Sequence, residues 1–322
     1  MKVTVSAPGK IHFMGEHAVV YGRPALLAAV SLRTYVTVRP LAVRRQLSEP
    51  ANSIEVVSRE PDDYVRRIVS VVKKELKLVD VPPVRITIES QIPSGYHLGS
   101  SAAVAVGVVG ALMYFTKKIW NPIRINEVAY EAEKVQHGNP SGGDNTTVTF
   151  GGFIWFRKEL EFLKSIWQLP FRPAANLSHF FLINTGKPKE TTGEMVAMVK
   201  ARITSHEPRM QALFHENEKQ ARRIAVALKE GREEELVDAL RIGERTLEKM
   251  GVVGKRVLPL IRSIEAIGGA AKILGGGGVK EGVGFLLCYA KSVLEIKRLC
   301  DEYRFTTQLV RLGEEGVRLE QK

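Results

Sequence analysis

A loop of small residues leads directly into an apolar segment at residues 92–103, which read IPSGYHLGSSAA. The Ala- and Val-rich stretch that follows predicts a buried helix over 101–115. The first turn of a helix offers backbone N–H groups and the positive end of its dipole, and small loop residues let a phosphate approach them closely. The loop is therefore a candidate anion site, although Ser100 and Ser101 could serve only to cap the helix. Neither GxxxxGK[ST] nor GxGxxG occurs in the chain, which argues against Walker-type and Rossmann sites.

Two carboxylates follow this helix along the chain. Glu133 lies near the end of a predicted helix, and Asp144 follows a turn of Gly, Pro and Ser residues. Such a pair can converge, so that one acid binds a metal while the other accepts a proton or a hydrogen bond from a hydroxyl. Taken alone, the segment favours a simpler interpretation, in which Glu133 is a solvated helix charge and Asp144-Asn145 forms a turn.

Charged residues also lie among glycines near the N-terminus. Lys10 follows a Pro-Gly pair at the end of the first predicted strand, and Glu16, His17 and Tyr21 follow shortly after. This cluster suits a ligand cleft, but an ordinary surface hairpin explains it equally well. Four successive glycines at 275–278 predict either a close approach of the backbone to another group or a flexible hairpin turn.

The secondary-structure elements that must position these side chains are a mixture of strands and helices in the first half of the chain and mainly helices in the second. Hydrophobic periodicity predicts strands at 3–6, 25–38, 53–57, 84–89, 146–156 (a pair broken by two glycines), 180–184, 270–274, 283–289 and 307–312. It predicts helices at 62–77, 101–115, 126–136 with Asn126 as the cap, over most of 192–267, and at 291–303. A boundary between two lobes is expected near 170–178, dividing the chain into 1–175 and 176–322.

Composition excludes several classes of protein. The 322 residues are 44% hydrophobic and 25% charged, as in a globular protein with room for two lobes. The net charge of +12 is spread along the chain, which favours a solvated basic surface or an anionic small ligand over nucleic acid. Two cysteines and scattered histidines argue against a disulfide framework or a zinc site. The N-terminus shows no signal-peptide core, and the apolar run 102–115 is shorter than the roughly 20 residues that span a bilayer. We therefore expect a cytoplasmic location and no membrane partner.

Taken together and in this order, the four segments resemble the GHMP family of small-molecule kinases and, within it, the mevalonate kinases. The segments at 8–22 and 137–145 are similar to motifs specific to mevalonate kinases, whereas those at 98–103 and 275–278 mark only the wider family. The resemblance implies an α+β, two-lobed fold. Its N-terminal lobe would be like domain 2 of ribosomal protein S5, and its C-terminal lobe would be a ferredoxin-like α/β lobe.

The resemblance also implies where ATP and a magnesium ion would bind. The triphosphate would lie along the small-residue loop and the start of the following helix. The residues expected to contact it are Gly95, Tyr96, His97, Leu98, Gly99, Ser100, Ser101 and Ala102. Mg²⁺, the implied cofactor, would be held by Ser101, Glu133 and the β- and γ-phosphates.

The implied activity is the ATP-dependent phosphorylation of the C5 hydroxyl of mevalonate to 5-phosphomevalonate, in isoprenoid biosynthesis. Asp144 would act on that hydroxyl as a catalytic base or orienting group, while Lys10 would pair with Asp144 and stabilise charge near the γ-phosphate. Glu16, His17 and Thr185 would line the mevalonate site. Because the phosphoryl transition state needs little covalent help, most of the acceleration would come from positioning and charge neutralisation.

Two departures from the family pattern affect the predicted nucleotide site. His97 stands where the phosphate loop usually has its second glycine, and we expect it to alter nucleotide affinity without abolishing it. In the glycine-rich third motif, Leu274 replaces a hydroxyl residue and Gly276 replaces alanine, which leaves the shape of that loop open.

Alternative functions remain open at this point. The nearest is a sibling GHMP kinase acting on phosphomevalonate or another small alcohol. A galactokinase would show GEHxDY, whereas the chain continues from Gly15-Glu16-His17 with AVVY. A non-catalytic nucleotide-binding protein of the same fold would have lost the acid or the lysine, and both Asp144 and Lys10 are present. The family also leads us to expect a homodimer.

Overall fold

The structure, a computed structural model, describes residues 2–41, 54–59, 61–138, 140–160 and 163–320, without the side chain of His137. Ser53 of a predicted strand and Asn139 of the 137–145 motif lie outside these residues. The strands are β1 Val3–Met14, β2 Ala25–Pro40, β3 Ile54–Val57, β4 Val84–Ser90, β5 Phe153–Lys158, β6 Lys164–Leu169, β7 Phe180–Asn184, β8 Ala270–Ile273, β9 Phe285–Tyr289, β10 Thr306–Val310 and β11 Arg318–Leu319. The helices are α1 Asp62–Glu75, α2 Ser100–Lys117, α3 Pro122–His137, α4 Gly143–Phe150, α5 Thr192–Glu230, α6 Glu233–Met250, α7 Leu258–Ala266 and α8 Val293–Glu302. This α+β content in two lobes confirms the predicted fold class.

The first lobe is built on a branched sheet of order β11-β1-β2-β4-β3, in which β5 pairs with the first part of β2 and with β6. Only β3 and β4 run parallel among the described pairs. Helix α2 packs on β1 and β2 and contacts α1, α3 and α4, and it is buried from Ala102 to Met113. By length and hydropathy α2 could also cross a membrane, but 72% of it is buried inside the protein, as in a core helix.

The second lobe has a four-stranded antiparallel sheet of order β10-β7-β9-β8, with helices α5–α8. After β10 the chain returns to the first lobe, where β11 pairs with β1. Buried Arg33 fixes this return because its guanidinium donates hydrogen bonds to the carbonyls of Glu315 (2.9 Å) and Gly316 (2.7 Å). The boundary at 175/176 stays a prediction, and residues 318–319 belong to the first sheet.

Three sequence-based predictions about local structure were wrong. Strand β1 does not end before Lys10 but continues to Met14, because a register shift between Pro8 and Gly9 absorbs the Pro-Gly pair as a bulge. Residues 146–150 belong to helix α4 and not to a strand, since burial of this Thr-rich turn overrides its β-propensity. Helix α3 is capped by Asn121, whose side chain accepts from the Arg124 N–H, with proline at the next position.

Candidate active site

The side chains of Lys10 and Asp144 meet although 134 residues separate them. Lys10 points from the bulged part of β1 and Asp144 from the first turn of α4, with 2.9 Å between Nζ and Oδ2. The lysine side chain is 4% exposed and the aspartate side chain 38%, so only the acid can be reached from solvent. The backbone N–H of Lys10 donates to the carbonyl of Leu98 at 2.9 Å, which joins the pair to the 95–102 loop.

The electrostatics of this pair follow from its surroundings. Burial pushes the pKa of Asp144 upward, but the Lys10 ammonium outweighs it and holds that pKa below its usual value. His12 lies 3.3 Å from Lys10 through Nδ1, and burial, followed by the Lys10 charge, lowers the pKa of His12 to about 3. His12 is therefore neutral at physiological pH and accepts from the ammonium, which fixes Lys10 between an imidazole and a carboxylate.

The 95–102 loop has the conformation of an anion site. Gly95, His97 and Gly99 alternate along it with φ of 82°, 62° and 77°, all left-handed. Among the described side chains, none caps the start of α2, where Gly99 occupies the N-cap position. A Cβ on Gly99 would lie 2.7 Å from Cγ of Lys10, so only glycine allows the loop to pack on the lysine. The start of α2 is thus placed beside the Lys10–Asp144 pair.

Ser101 and Glu133 also come together, on α2 and α3. The Ser101 hydroxyl lies 2.6 Å from Oε1 of Glu133, and the Tyr64 hydroxyl donates to the same oxygen at 2.6 Å. A hydroxyl and a buried carboxylate next to a phosphate loop are ligands of the type that Mg²⁺ uses beside nucleotide phosphates. Within the described residues no group of three or more Asp, Glu, His or Cys side chains is arranged to hold a metal ion, so such an ion would take most of its ligands from phosphate and water. The donors present therefore fit magnesium.

The structure places the three predicted substrate residues at contacts between loops. His17 lies 3.1 Å from the carbonyl of Gly276 through Nε2 and is buried. Thr185 donates to the carbonyl of Gly284 at 2.8 Å, which ties the end of β7 to the chain entering β9. Glu16 is buried against Lys272. These contacts join the segment at 8–22 to the glycine-rich third motif. Direct contact of the three residues with the substrate remains a prediction.

A buried charge cluster, consisting of Glu16, Lys272 and Glu244, lies behind the site. The Lys272 ammonium on β8 pairs with Glu16 and reaches the carbonyl of His12 at 3.4 Å. Glu244 on α6 accepts from the Ile273 N–H at 3.0 Å, and burial raises its pKa to about 8. Glu244 is therefore mainly neutral at pH 7, and the cluster crosses from one lobe to the other.

Sequence reasoning missed Tyr64, His12, Lys272 and Glu244. Tyr64 lies on the apolar face of α1, where its aromatic ring looked like core. Lys272 carried a usable signal, because a charged residue within an apolar strand requires a buried partner. Glu244 carried none, since it falls among the ordinary charges of an amphipathic helix.

Comparisons with known proteins identify the family of this chain. A model of the N-terminal domain of GHMP kinases matches residues 63–152. Mevalonate kinase of Archaeoglobus fulgidus is 34% identical over 283 residues, covering 85% of this chain and 88% of its own. The chain belongs to the GHMP kinases, in the mevalonate kinase family. Two solved structures have the same fold. Methanococcus jannaschii mevalonate kinase has a TM-score of 0.79 and 21% identity, covering 97% of this chain and 98% of its own. L. major mevalonate kinase in complex with R-mevalonate has a TM-score of 0.80 and 19% identity, covering 96% of this chain and 95% of its own.

The same comparison bears on the galactokinase alternative. Residues 2–40 of this mevalonate kinase family member match a galactokinase galactose-binding signature. That region contains Lys10, Glu16 and His17. Residues 18–21 of the signature region read AVVY and form a 3-10 turn, in which Tyr21 stacks on Phe214 of α5 at 4.9 Å. Tyr21 therefore serves packing between the lobes.

Proposed function

We propose that this GHMP kinase transfers the γ-phosphoryl group of ATP to the C5 hydroxyl of mevalonate, yielding 5-phosphomevalonate and ADP for isoprenoid biosynthesis. The single observation that carries the reaction type is the Lys10–Asp144 pair, joined by hydrogen bond to the phosphate loop. Mevalonate as the acceptor rests on the mevalonate kinase relatives, of which one is 34% identical over most of the chain.

The residues of the pair have separate tasks in this reaction. The hydroxyl oxygen attacks the γ-phosphorus, the bond to the β,γ-bridging oxygen breaks, and the hydroxyl proton passes to Asp144. Because Lys10 keeps Asp144 ionised, the carboxylate can accept a hydrogen bond from the alcohol and orient it before transfer. The Lys10 ammonium would stabilise negative charge between the hydroxyl and the phosphate, and the burial of its side chain supports this role because little reorganisation would be needed.

We propose that Ser101 and Glu133 hold a magnesium ion with the nucleotide phosphates. The ion would neutralise charge on the β- and γ-phosphates. Tyr64 orients the Glu133 carboxylate through its 2.6 Å hydrogen bond, and its hydroxyl is also 2.9 Å from that of Ser101. The three side chains come from α1, α2 and α3, so helix packing sets their positions.

We propose further that His17 and Thr185 line the mevalonate site, while Glu16 acts through the loop it anchors. Glu16 has a side-chain exposure of 1% and an ion pair with Lys272, which supports positioning of His17 beside Gly276. A Glu16→Gln variant should then raise KM for mevalonate by way of a displaced loop, and it should lower thermal stability at the same time.

The test of the acceptor is a coupled measurement of ADP release with mevalonate, phosphomevalonate, galactose and homoserine in parallel. We expect turnover with mevalonate alone, with phosphorus NMR showing a phosphomonoester. The matched control is Asp144→Asn, which should bind ATP and release ADP about 10²–10⁴-fold more slowly. Faster turnover of phosphomevalonate than of mevalonate would assign the chain to the sibling activity.

We also propose a cytoplasmic homodimer, as the family resemblance implies. Strand β6 ends its branch of the first sheet and carries Trp167, whose side chain is 65% exposed, which offers one apolar surface for pairing. Sedimentation equilibrium should give twice the chain mass of 35.8 kDa. A single-chain mass at micromolar concentration would contradict the dimer.

A further inference from the structure

Three side chains along one face of α3 contact groups on both sides of the candidate active site. Asn126, Tyr130 and Glu133 are spaced by four and three residues, which places them one above another on the helix. Glu133 contacts Ser101 in the proposed magnesium site. The other two contact the segment that carries Asp144. Helix α3 therefore extends from the metal ligands to the carboxylate that faces the hydroxyl.

Asn126 holds the residue that follows Asp144. The side-chain amide of Asn145 donates to Oδ1 of Asn126 at 2.7 Å, and Asn145 is buried. The turn at 140–143, which leads into α4, needs separate support. No described side chain caps α4 at Gly142, whose φ is 86°. A turn that contains such a glycine keeps one conformation only where neighbouring groups restrict it.

Tyr130 and Lys164 restrict this turn. The Tyr130 hydroxyl donates to the carbonyl of Pro140 at 3.3 Å and accepts from the Lys164 ammonium at 2.5 Å. A Cβ placed on Gly142 would lie 3.3 Å from Nζ of Lys164 and 3.4 Å from the Tyr130 ring, so both groups pack directly on that glycine. Lys164 begins β6, and the turn is therefore held between α3 and the β5–β6 hairpin.

The ammonium of Lys164 lies where the helix dipole disfavours it. Gly142 is the N-cap of α4, and the N-terminal end of a helix carries a partial positive charge. The cation is stabilised instead by Tyr130, because Nζ lies 4.2 Å from the centroid of that ring as well as close to its hydroxyl. Stabilisation of α4 thus does not account for the contact, whereas fixing of the turn does.

We propose that Tyr130 and Lys164 are positioning residues for phosphoryl transfer. By holding the turn at 140–143 they keep the Asp144 carboxylate against Lys10 and at a constant distance from the metal ligands on α2 and α3. Displacement of a reacting group by about 1 Å can cost a factor of about 10² in rate. The inference rests on the proposed function in taking Asp144 as the group that accepts the hydroxyl proton, and it does not depend on which alcohol is phosphorylated.

The test begins with two conservative variants. Tyr130→Phe keeps the ring and removes the hydroxyl, and Lys164→Met keeps the apolar stem and removes the ammonium. We expect each to lower kcat about 5- to 50-fold, because the turn is released and Asp144 is no longer fixed. KM for ATP and for mevalonate should stay within about threefold, since no ground-state contact with either substrate is removed.

The matched control is Lys134→Met. The Lys134 ammonium lies 5.0 Å from the centroid of the same Tyr130 ring, but its side chain is 40% exposed and pairs with Glu131. Removal of an exposed ion pair of this kind changes little, so kcat should change less than about twofold. The control separates loss of the contact with the turn from loss of a cation beside the ring.

A second set of measurements repeats the comparison in an Asp144→Asn background, with radiolabelled ATP to follow the low residual rate. Because Tyr130 is proposed to act through the carboxylate, Tyr130→Phe should lower this residual kcat less than about twofold, since the effects of groups that act as a unit do not add. A role in general stability would give the same fold-loss in both backgrounds.

Three results would overturn the proposal. One is an equal loss of kcat in both backgrounds. The second is a higher KM for mevalonate with kcat unchanged, which would make Lys164 a substrate-binding group. The third is a lower Tm with kcat and KM unchanged. Failure of the proposed function is recognised separately, because the natural chain would then not turn over mevalonate, and the two backgrounds would be compared with the alcohol that it does phosphorylate.

Discussion

Replacing Lys272 by methionine tests whether the buried charge cluster holds the lobes in register. The lysine side chain is fully buried, and so is the Glu16 carboxylate with which it pairs. Lys272→Met keeps the apolar stem and removes the ammonium. The Glu16 carboxylate then remains buried beside Glu244, without its counter-ion.

The expected cost follows from this burial. Removing one partner of a buried ion pair costs about 3–5 kcal/mol, because the remaining charge is left desolvated. For 322 residues, an unfolding entropy of about 2.1 cal/mol/K per residue corresponds to about 0.7 kcal/mol/K. One kcal/mol then shifts Tm by about 1.5 °C, so the variant should melt about 4–7 °C lower.

Scanning calorimetry at pH 7 measures this shift, and two further variants interpret it. Glu16→Gln/Lys272→Met removes both charges and should regain most of the lost stability, since a neutral buried pair carries no desolvated ion. Lys291→Met removes a lysine whose side chain is 76% exposed and which pairs with Glu233, and it should change stability by less than about 1 kcal/mol. Two results would refute the reasoning. One is a double variant that is no more stable than Lys272→Met, and the other is a Lys272→Met variant that loses as little stability as Lys291→Met.

The other predictions concern the active site and pH. Asp144→Asn should lower kcat by about 10²–10⁴-fold in the coupled ADP assay, because the carboxylate that accepts the hydroxyl proton is lost. Lys10→Met should move the acidic limb of the pH profile of kcat/KM to higher pH, because the ammonium holds the pKa of Asp144 down. Glu133→Gln should raise the Mg²⁺ concentration needed for half-maximal rate, while a rate insensitive to this change would remove Glu133 from the metal site. Glu244 has a pKa of about 8 in the folded protein against 4.5 in the reference state, so stability should fall as pH rises between these values. In urea denaturation, Glu244→Gln should therefore gain most over the natural chain at pH 9 and least at pH 4.

Local sequence patterns predicted much of the secondary structure of this molecule. Helix α1 follows its hydrophobic periodicity because its apolar face packs on α2 and α3, and helix α2 was predicted from a continuous apolar run that packs on β1 and β2. Strand β2 was predicted because its apolar residues form a long β-rich run. The meeting of Lys10 and Asp144 was expected from motif resemblance, and residue spacing alone would not have shown it.

Other features depend on contacts that no local pattern encodes. Helix α4 looks like a strand because Thr146 to Thr149 favour β-structure, yet the turn at Gly142 and burial against α2 decide its conformation. The partnership of Tyr64 with Glu133 joins residues 69 positions apart on two helices. Likewise, the partner of Lys272 cannot be identified until the fold brings Glu16 to it from the other lobe.

The return of β11 to β1 has a consequence for synthesis of the protein. The two are 3–14 and 318–319 in the chain, so this part of the edge of β1 is covered only by residues that are synthesised more than 300 positions later. At roughly 5–20 residues per second, about 7–30 s pass between the synthesis of residue 175 and that of β11, and this edge of β1 is unpaired during that time. An unpaired strand edge is prone to association with other chains during that interval. Completion of this edge in the lobe that carries the Lys10–Asp144 pair is thereby tied to synthesis of residues 318–319, and a chain that stops before them would leave the edge exposed.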